Sequence, residues 1–177
     1  MRLFVGLDLP WVLRETVSGL CGDLPGAKWT VPENLHLTLR FIGETELHVA
    51  EEIDFALQAL RCRRFELALS GVGVFERNGR TSVLWAGLAR DERLDHLQCK
   101  IETALQRLGL PRERRRFRPH ISLGRIDTVA PHLLAGWVQS HNLLRTEPVA
   151  INSFTLFSSQ PGPDQPVYTV EADYDLT

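Results

Sequence analysis

Two short tetrads, 84 residues apart, constrain this chain more than any other feature: His36-Leu37-Thr38-Leu39 and His120-Ile121-Ser122-Leu123. Both read His, apolar, hydroxyl, apolar. Chance supplies one such tetrad ~0.1 times in a chain of this composition, and a pair ~0.01 times. The surrounding segments keep the same offset of 84, which carries Pro10 onto Leu94, Leu24 onto Leu108, Phe65 onto Val149 and Asn78-Gly79 onto Gly162-Pro163. Residue identity across this repeat is low, so the order and spacing of elements carry it. The expectation is one bilobal unit over residues 1–177, with repeats at approximately 10–90 and 94–174.

Hydrophobic periodicity supplies the elements. Alternation predicts strands over Arg2–Leu9, Leu35–Phe41, Phe65–Phe75, Thr81–Leu88, Pro119–Ile126, Val149–Phe157 and Val167–Ala172. Helical spacing runs over Pro10–Leu24, Glu46–Leu60, Leu94–Leu108 and Pro131–Leu143. Trp11, Val12, Val17, Leu20 and Leu24 form the apolar face of the first helix. Asn78-Gly79 signals a hairpin, and Pro161-Gly162-Pro163-Asp164 turns between the last two strands. Gly71-Val72-Gly73 lies within a strand and reads as a bulge. The fold class is therefore α+β: two pseudo-symmetric lobes of antiparallel sheet backed by helices.

Composition narrows the setting. Hydrophobic residues at 44% and charged residues at 24% exclude a disordered chain. No run of eighteen apolar residues spans a membrane, and Asp8 interrupts the N-terminal apolar stretch too early for a signal peptide. Cys21, Cys62 and Cys99 are odd in number and contain no Cys-x-x-Cys pair. A disulfide framework and a zinc ribbon are thereby excluded, and a cytoplasmic protein is expected. The net charge of −2 opposes nucleic-acid binding by bulk electrostatics, though a local basic cleft is compatible with it.

On a strand, His and Thr (or Ser) share one face and the two apolar residues take the other. The apolar pair packs under the helices, which leaves imidazole and hydroxyl on the open face. A lone strand histidine is usually only exposed or hydrogen-bonded; a matched pair suggests chemistry. Hydrolysis at phosphorus wants attacking and leaving oxygens nearly in line, with a base on one side and an acid on the other. Two imidazoles titrating near neutrality supply both without a metal. Thr38 and Ser122 are candidates to hold the non-bridging phosphate oxygens.

Arg125 follows His120 by five residues, so alternation turns it away from the histidine unless Gly124 redirects the strand. There it would neutralise the phosphate. Arg40 shares the His36 face by alternation. Arg112 to Arg118 reads Arg-Glu-Arg-Arg-Arg-Phe-Arg just before the second tetrad, so Arg115, Arg116, Phe117 and Arg118 are candidate contacts to a phosphate-bearing ligand alongside Arg40. The remaining histidines fall in helices without metal-ligand spacing, and core packing is the default for Trp11, Trp29, Trp85 and Trp137.

Asn34-Leu35-His36-Leu37-Thr38-Leu39-Arg40-Phe41-Ile42-Gly43 and Phe117-Arg118-Pro119-His120-Ile121-Ser122-Leu123 resemble the paired signatures of the two-histidine (2H) phosphoesterase superfamily. The chain is most similar to its bacterial and archaeal RNA 2′,3′-cyclic phosphodiesterases, historically called 2′-5′ RNA ligases. Arg2-Leu3-Phe4-Val5-Gly6-Leu7-Asp8-Leu9-Pro10 and Phe154-Thr155-Leu156-Phe157-Ser158-Ser159 extend the likeness over nearly the whole chain. The resemblance implies helices on the outer faces, a V-shaped central cleft, and metal-independent opening of a cyclic phosphate to a 2′-phosphomonoester. It also implies His36 as proton donor to the departing 3′ oxygen, His120 as proton acceptor from water, and Arg125 as a phosphate ligand. Ser122 stands where the family more often has threonine, which keeps the hydroxyl.

The expected partners are RNA ends or nucleoside 2′,3′-cyclic phosphates, with no cofactor, no metal and no membrane, acted on by a monomer. Reversible 2′-5′ RNA ligation is an accompanying expectation. Small cyclic phosphates and 2′-5′-linked oligonucleotides are the alternative substrates. A non-catalytic RNA- or nucleotide-binding module is the alternative from another class, but it would not need an acid facing a base.

Overall fold

Alternating sequence folds into antiparallel strands that meet back to back at the two tetrads. The computed structural model describes Met1–Thr177. Its strands are β1 (Arg2–Asp8), β2 (Lys28–Trp29), β3 (His36–Glu44), β4 (Phe65–Leu67), β5 (Leu69–Arg77), β6 (Thr81–Leu88), β7 (His120–Asp127), β8 (Val149–Ile151), β9 (Ser153–Gln160) and β10 (Val167–Asp175). The helices are α1 (Trp11–Ser18), α2 (Leu47–Gln58), α3 (Glu92–Arg107) and α4 (Pro131–His141). This is an α+β fold. The main sheet runs β10-β9-β1-β3-β7-β6-β5, with β2 added on β7; β4 and β8 form a second, two-stranded sheet.

The junction of the two lobes is narrow. β3 meets β7 through one pair, Leu37 with Ile121, the first apolar residues of the two tetrads. The small sheet centres on Glu66 paired with Ala150. Both of these pairs join residues 84 apart. Beyond Leu37 the strands part, and β2 takes the vacated edge of β7 through Lys28 with Arg125 and Trp29 with Gly124.

Three expectations need correction. The strands expected over Phe65–Phe75 and Val149–Phe157 each break, at Ala68 and Asn152. There the backbone carbonyls accept from the Ala89 and Leu176 amides instead, which lets β4 and β8 peel away to pair with each other. The first helix stops at Ser18, because Asp23 (φ 55°) and Gly26 (φ 83°) turn the following segment through left-handed backbone. Its buried side is Leu13 and Val17, continued by Leu20 beyond its end, while Trp11 is 67% and Val12 56% exposed. Lastly, the sequence offset matches β10 to β6, yet β6 flanks β7 as β1 flanks β3. β1 already fills the inner place, so β10 is an added outer strand.

One apolar cluster of 32 buried residues extends from Leu3 to Leu176 and includes Leu37, Leu39, Ile121 and Leu123. α3 contributes Leu94, Leu97, Ile101 and Leu105 from a single face. Each such side chain contributes ~1.5–3 kcal/mol on burial. That burial fixes which face of β3 and β7 is inward, and so which residues face out.

Candidate active site

Because Leu37 pairs antiparallel with Ile121, His36 lies across from Ser122 and Thr38 across from His120. The apolar members of both tetrads are buried, so the four polar side chains stand together on the opposite face. The two histidines occupy opposite corners of this square. Diagonal neighbours on antiparallel strands are ~7–8 Å apart at the backbone, so both side chains leave the sheet from adjacent strands on one face.

Both rings are anchored alike. His36 Nδ1–H donates to the Asn34 carbonyl at 2.7 Å, and His120 Nδ1–H to the Arg118 carbonyl at 2.6 Å. Those bonds fix the tautomer and leave Nε2 of each ring for chemistry. Thr38 Oγ1 lies 3.0 Å from His36 Nε2 and donates to it while the ring is neutral. Ser122 is exposed.

The surroundings of the rings differ. His36 is flanked by Phe4 at 4.9 Å, Tyr168 at 5.1 Å and Phe157 at 6.1 Å between ring centroids. Burial pushes its pKa below the ordinary histidine value. The Asn34 carbonyl and Asp8 oppose that shift, whereas the charges of Arg14 and His120 add to it. His120 sits beside Phe75 at 5.0 Å and Trp85 at 6.4 Å.

Matching bulges decide what surrounds the square. The β1–β3 register slips between Val5–Arg40 and Gly6–Thr38, and the β6–β7 register between Leu84–Gly124 and Trp85–Ser122. The extra residues are Leu39 and Leu123. Past each bulge the alternation inverts. Arg40 and Gly124 consequently turn inward, while Phe41 and Arg125 turn out onto the histidine face. Arg125 reaches that face through the bulge at Leu123, one residue earlier than the break anticipated at Gly124.

Arg40 is a correction: it does not share the His36 face. It is 8% exposed, bonded to Glu102 of α3 at 2.5 Å and to the Phe41 and Pro111 carbonyls. Burial works against the Glu102 charge, but bonds from Gln106, the Glu113 amide and Arg40 outweigh it and hold its carboxyl below the usual range. Arg40 is an interior anchor between β3 and α3, closed to any ligand. Gly124 is its counterpart in β7. A Cβ there would stand 2.7 Å from the Lys28 carbonyl, so the missing side chain is what lets β2 lie against β7.

Phe117 is half-buried and packs against the core. Arg115 is exposed. Arg116, Phe117 and Arg118 line a groove outside His120 with Trp85, Arg90, Asp91 and Asp95. Lys28, Trp29, Arg77, Gln165 and Tyr168 line a cavity of about 720 Å³ together with Ser122 and Arg125. Core packing is the default for Trp29, although its place in the loop before the first tetrad also suits a cleft wall; the other four carry no signal in the sequence, Arg77 lying within a turn pattern. Gln165 ties the cavity wall together, its amide donating to the Trp29 carbonyl at 2.7 Å and accepting from the Val31 amide at 3.1 Å. No three His, Cys, Asp or Glu side chains gather to hold a metal ion.

Residues 25–162 match the family model of the 2′-5′ RNA ligase superfamily. An RNA 2′,3′-cyclic phosphodiesterase of Archaeoglobus fulgidus is 30% identical over 171 residues, 95% of this chain and 96% of its own. One from Thermotoga maritima is 31% identical over 180 residues, 96% and 92% of the two chains. The crystal structure of Escherichia coli LigT in apo form superimposes with a TM-score of 0.82 at 26% identity, over 99% of this chain and 97% of that one. Fold and paired tetrads together define the two-histidine class of phosphoesterases. Within that class, this chain belongs to the 2′-5′ RNA ligase superfamily.

Proposed function

We propose that this chain hydrolyses RNA 2′,3′-cyclic phosphate ends to 2′-phosphomonoesters by metal-independent acid–base catalysis, with 2′-5′ ligation when a 5′ hydroxyl attacks in place of water. The relatives named RNA 2′,3′-cyclic phosphodiesterase support the reaction class. One observation supports the mechanism most: two imidazoles on one sheet face, each anchored through Nδ1 to the carbonyl two residues earlier.

In this reading His120 Nε2 takes a proton from water as its oxygen bonds to phosphorus. The P–O3′ bond breaks on the opposite side, and protonated His36 gives its Nε2 proton to the 3′ oxygen. The step ends with His120 charged and His36 neutral, and solvent exchange restores the pair. In the free protein burial favours neutral His36; an anionic diester between the rings raises its proton affinity and prepares it as the acid. Thr38 then turns its hydroxyl from Nε2 to a phosphate oxygen, and Ser122 and Arg125 bind the others. Arg115, Arg116 and Arg118 are exposed cations outside this shell.

The same reading takes the chain as one bilobal unit over 1–177 with repeats at about 10–90 and 94–174, acting as a cytoplasmic monomer. No helix is long and apolar enough to cross a membrane. The test is hydrolysis of a nucleoside 2′,3′-cyclic phosphate in excess EDTA, with the product identified. Turnover to the 2′-phosphate is expected, and His36→Ala or His120→Ala should each lose ~10²–10⁴-fold. Sensitivity to chelation, or a 3′-phosphate product, rejects the mechanism.

A further inference from the structure

The two corners of the site are not equivalent in charge. Phe41 and Arg125 take matching places just past the two bulges, so one half offers a ring where the other offers a guanidinium. The imbalance continues outward from Arg125. The cavity that begins at Ser122 carries three cations, Lys28, Arg77 and Arg125, against one acid, Asp164. Lys28 and Arg77 are exposed, and none of the three has a carboxylate within salt-bridge distance. Arg14, by contrast, pairs with Asp8, and Arg40 with Glu102. The groove on the other side of His120 mixes Arg90, Arg116 and Arg118 with Asp91 and Asp95.

Register places these cations in order. Phe75, Val83 and Arg125 form one cross-strand row; Arg77, Thr81 and Asp127 form the next one out. Successive rows on one face are two residues apart, ~6.6 Å. Arg77 therefore stands one row farther from Ser122 than Arg125 does. Lys28 enters on β2 beside Arg125 in the inner row, on the flank away from β6, where Gly124 admits it. This half-open cavity of about 720 Å³ is much more than a cyclic phosphate fills. It is within the ~300–1,000 Å³ range of ligand-binding clefts.

We infer that Arg77 and Lys28 bind the internucleotide phosphate immediately 5′ of the cyclic end, so that the site is shaped for an oligonucleotide terminus and not for a mononucleotide. This rests on the function proposed above and names its substrate class. The cyclic phosphate sits between the histidines with Arg125, and the preceding phosphate lies against Arg77 and Lys28. An unpaired cation meeting a phosphate gives a charge-assisted bond, worth roughly tenfold in binding when partly exposed.

Steady-state hydrolysis separates the possibilities. A nucleoside 2′,3′-cyclic phosphate is compared with a dinucleotide bearing the same cyclic end, using wild type, Arg77→Ala, Arg77→Lys, Lys28→Ala and Arg116→Ala at two salt concentrations. Wild type should prefer the dinucleotide by roughly tenfold in kcat/KM. Arg77→Ala and Lys28→Ala should erase most of that preference through KM and flatten its salt dependence, and Arg77→Lys should restore part of it. No preference in wild type overturns the inference. So does an Arg77→Ala loss equal for both substrates, or a preference lost in Arg116→Ala and kept in Arg77→Ala. Failure of wild type to hydrolyse either substrate overturns the underlying function, and this inference with it.

Discussion

His36 carries the sharpest consequence of its own environment. Phe4, Phe157 and Tyr168 close around the ring, and burial favours its neutral form. In a proton NMR titration of the free protein, His36 should titrate below the ordinary ~6.5 of histidine. Saturation with a nucleoside 2′-monophosphate should move it upward, since an anion stabilises the imidazolium. The same shift sets a sign for stability. The unfolded chain takes up its proton first as pH falls, so the His36 contribution is complete above about 6.5 and is lost as pH drops toward the lowered folded value. Urea midpoints at pH 7.5 and 5.5 should therefore differ more for wild type than for His36→Ala. A free-state value above 6.5 would show that the aromatic enclosure does not govern this ring.

At the scale of elements, the paired bulges decide the chemistry, and they were the least visible part of the sequence. Strict alternation correctly puts His36 with Thr38 and His120 with Ser122, because no irregularity intervenes within either tetrad. It fails one residue later. Leu39 and Leu123 are ordinary strand residues, and nothing in the local sequence announces that each is an extra one. Arg40 was accordingly placed outside and is buried, whereas Arg125 needed a special argument to come out. The helices were more legible: Leu94, Leu97, Ile101 and Leu105 repeat cleanly, and all four are buried. α1 was overextended because Leu20 and Leu24 stay apolar and buried after the helix has ended. Gly124 makes the bulge testable. In Gly124→Ala the new methyl meets the Lys28 carbonyl, so β2 must move and Arg125 with it. Overpacking of this kind costs ~1–3 kcal/mol, and displacing a phosphate ligand by about 1 Å costs up to ~10²-fold in rate. The expected variant is folded, with a lower thermal midpoint and a kcat/KM reduced tenfold or more; unchanged activity would mean that β2 does not position Arg125.

For the molecule as a whole, the interleaving of strands matters more than the resemblance of the two repeats. Read across the sheet, β10 and β9 come from the second repeat, β1 and β3 from the start of the chain and the first, β7 from the second, and β6 and β5 from the first. Each lobe therefore borrows strands from both parts of the chain. A fragment ending near residue 90 keeps β3 and β6 but lacks β7, the strand between them; the complementary fragment lacks β1, on which β9 pairs from Thr155 to Ser159. Side chains cross the same divide: Trp137 Nε1 donates to the Leu20 carbonyl at 3.3 Å, and the Tyr174 hydroxyl to Asp54 at 2.6 Å. With a single apolar cluster spanning both repeats, neither lobe has a core to retain once the other opens. Urea unfolding followed by far-UV circular dichroism and by tryptophan fluorescence should give one coincident transition. Fragments 1–90 and 91–177 should each lack native-like dichroism when expressed alone. Separate transitions, or one stably folded fragment, would mean that the lobes are independent, and the catalytic square would then depend on a docking equilibrium between them instead of on the fold itself.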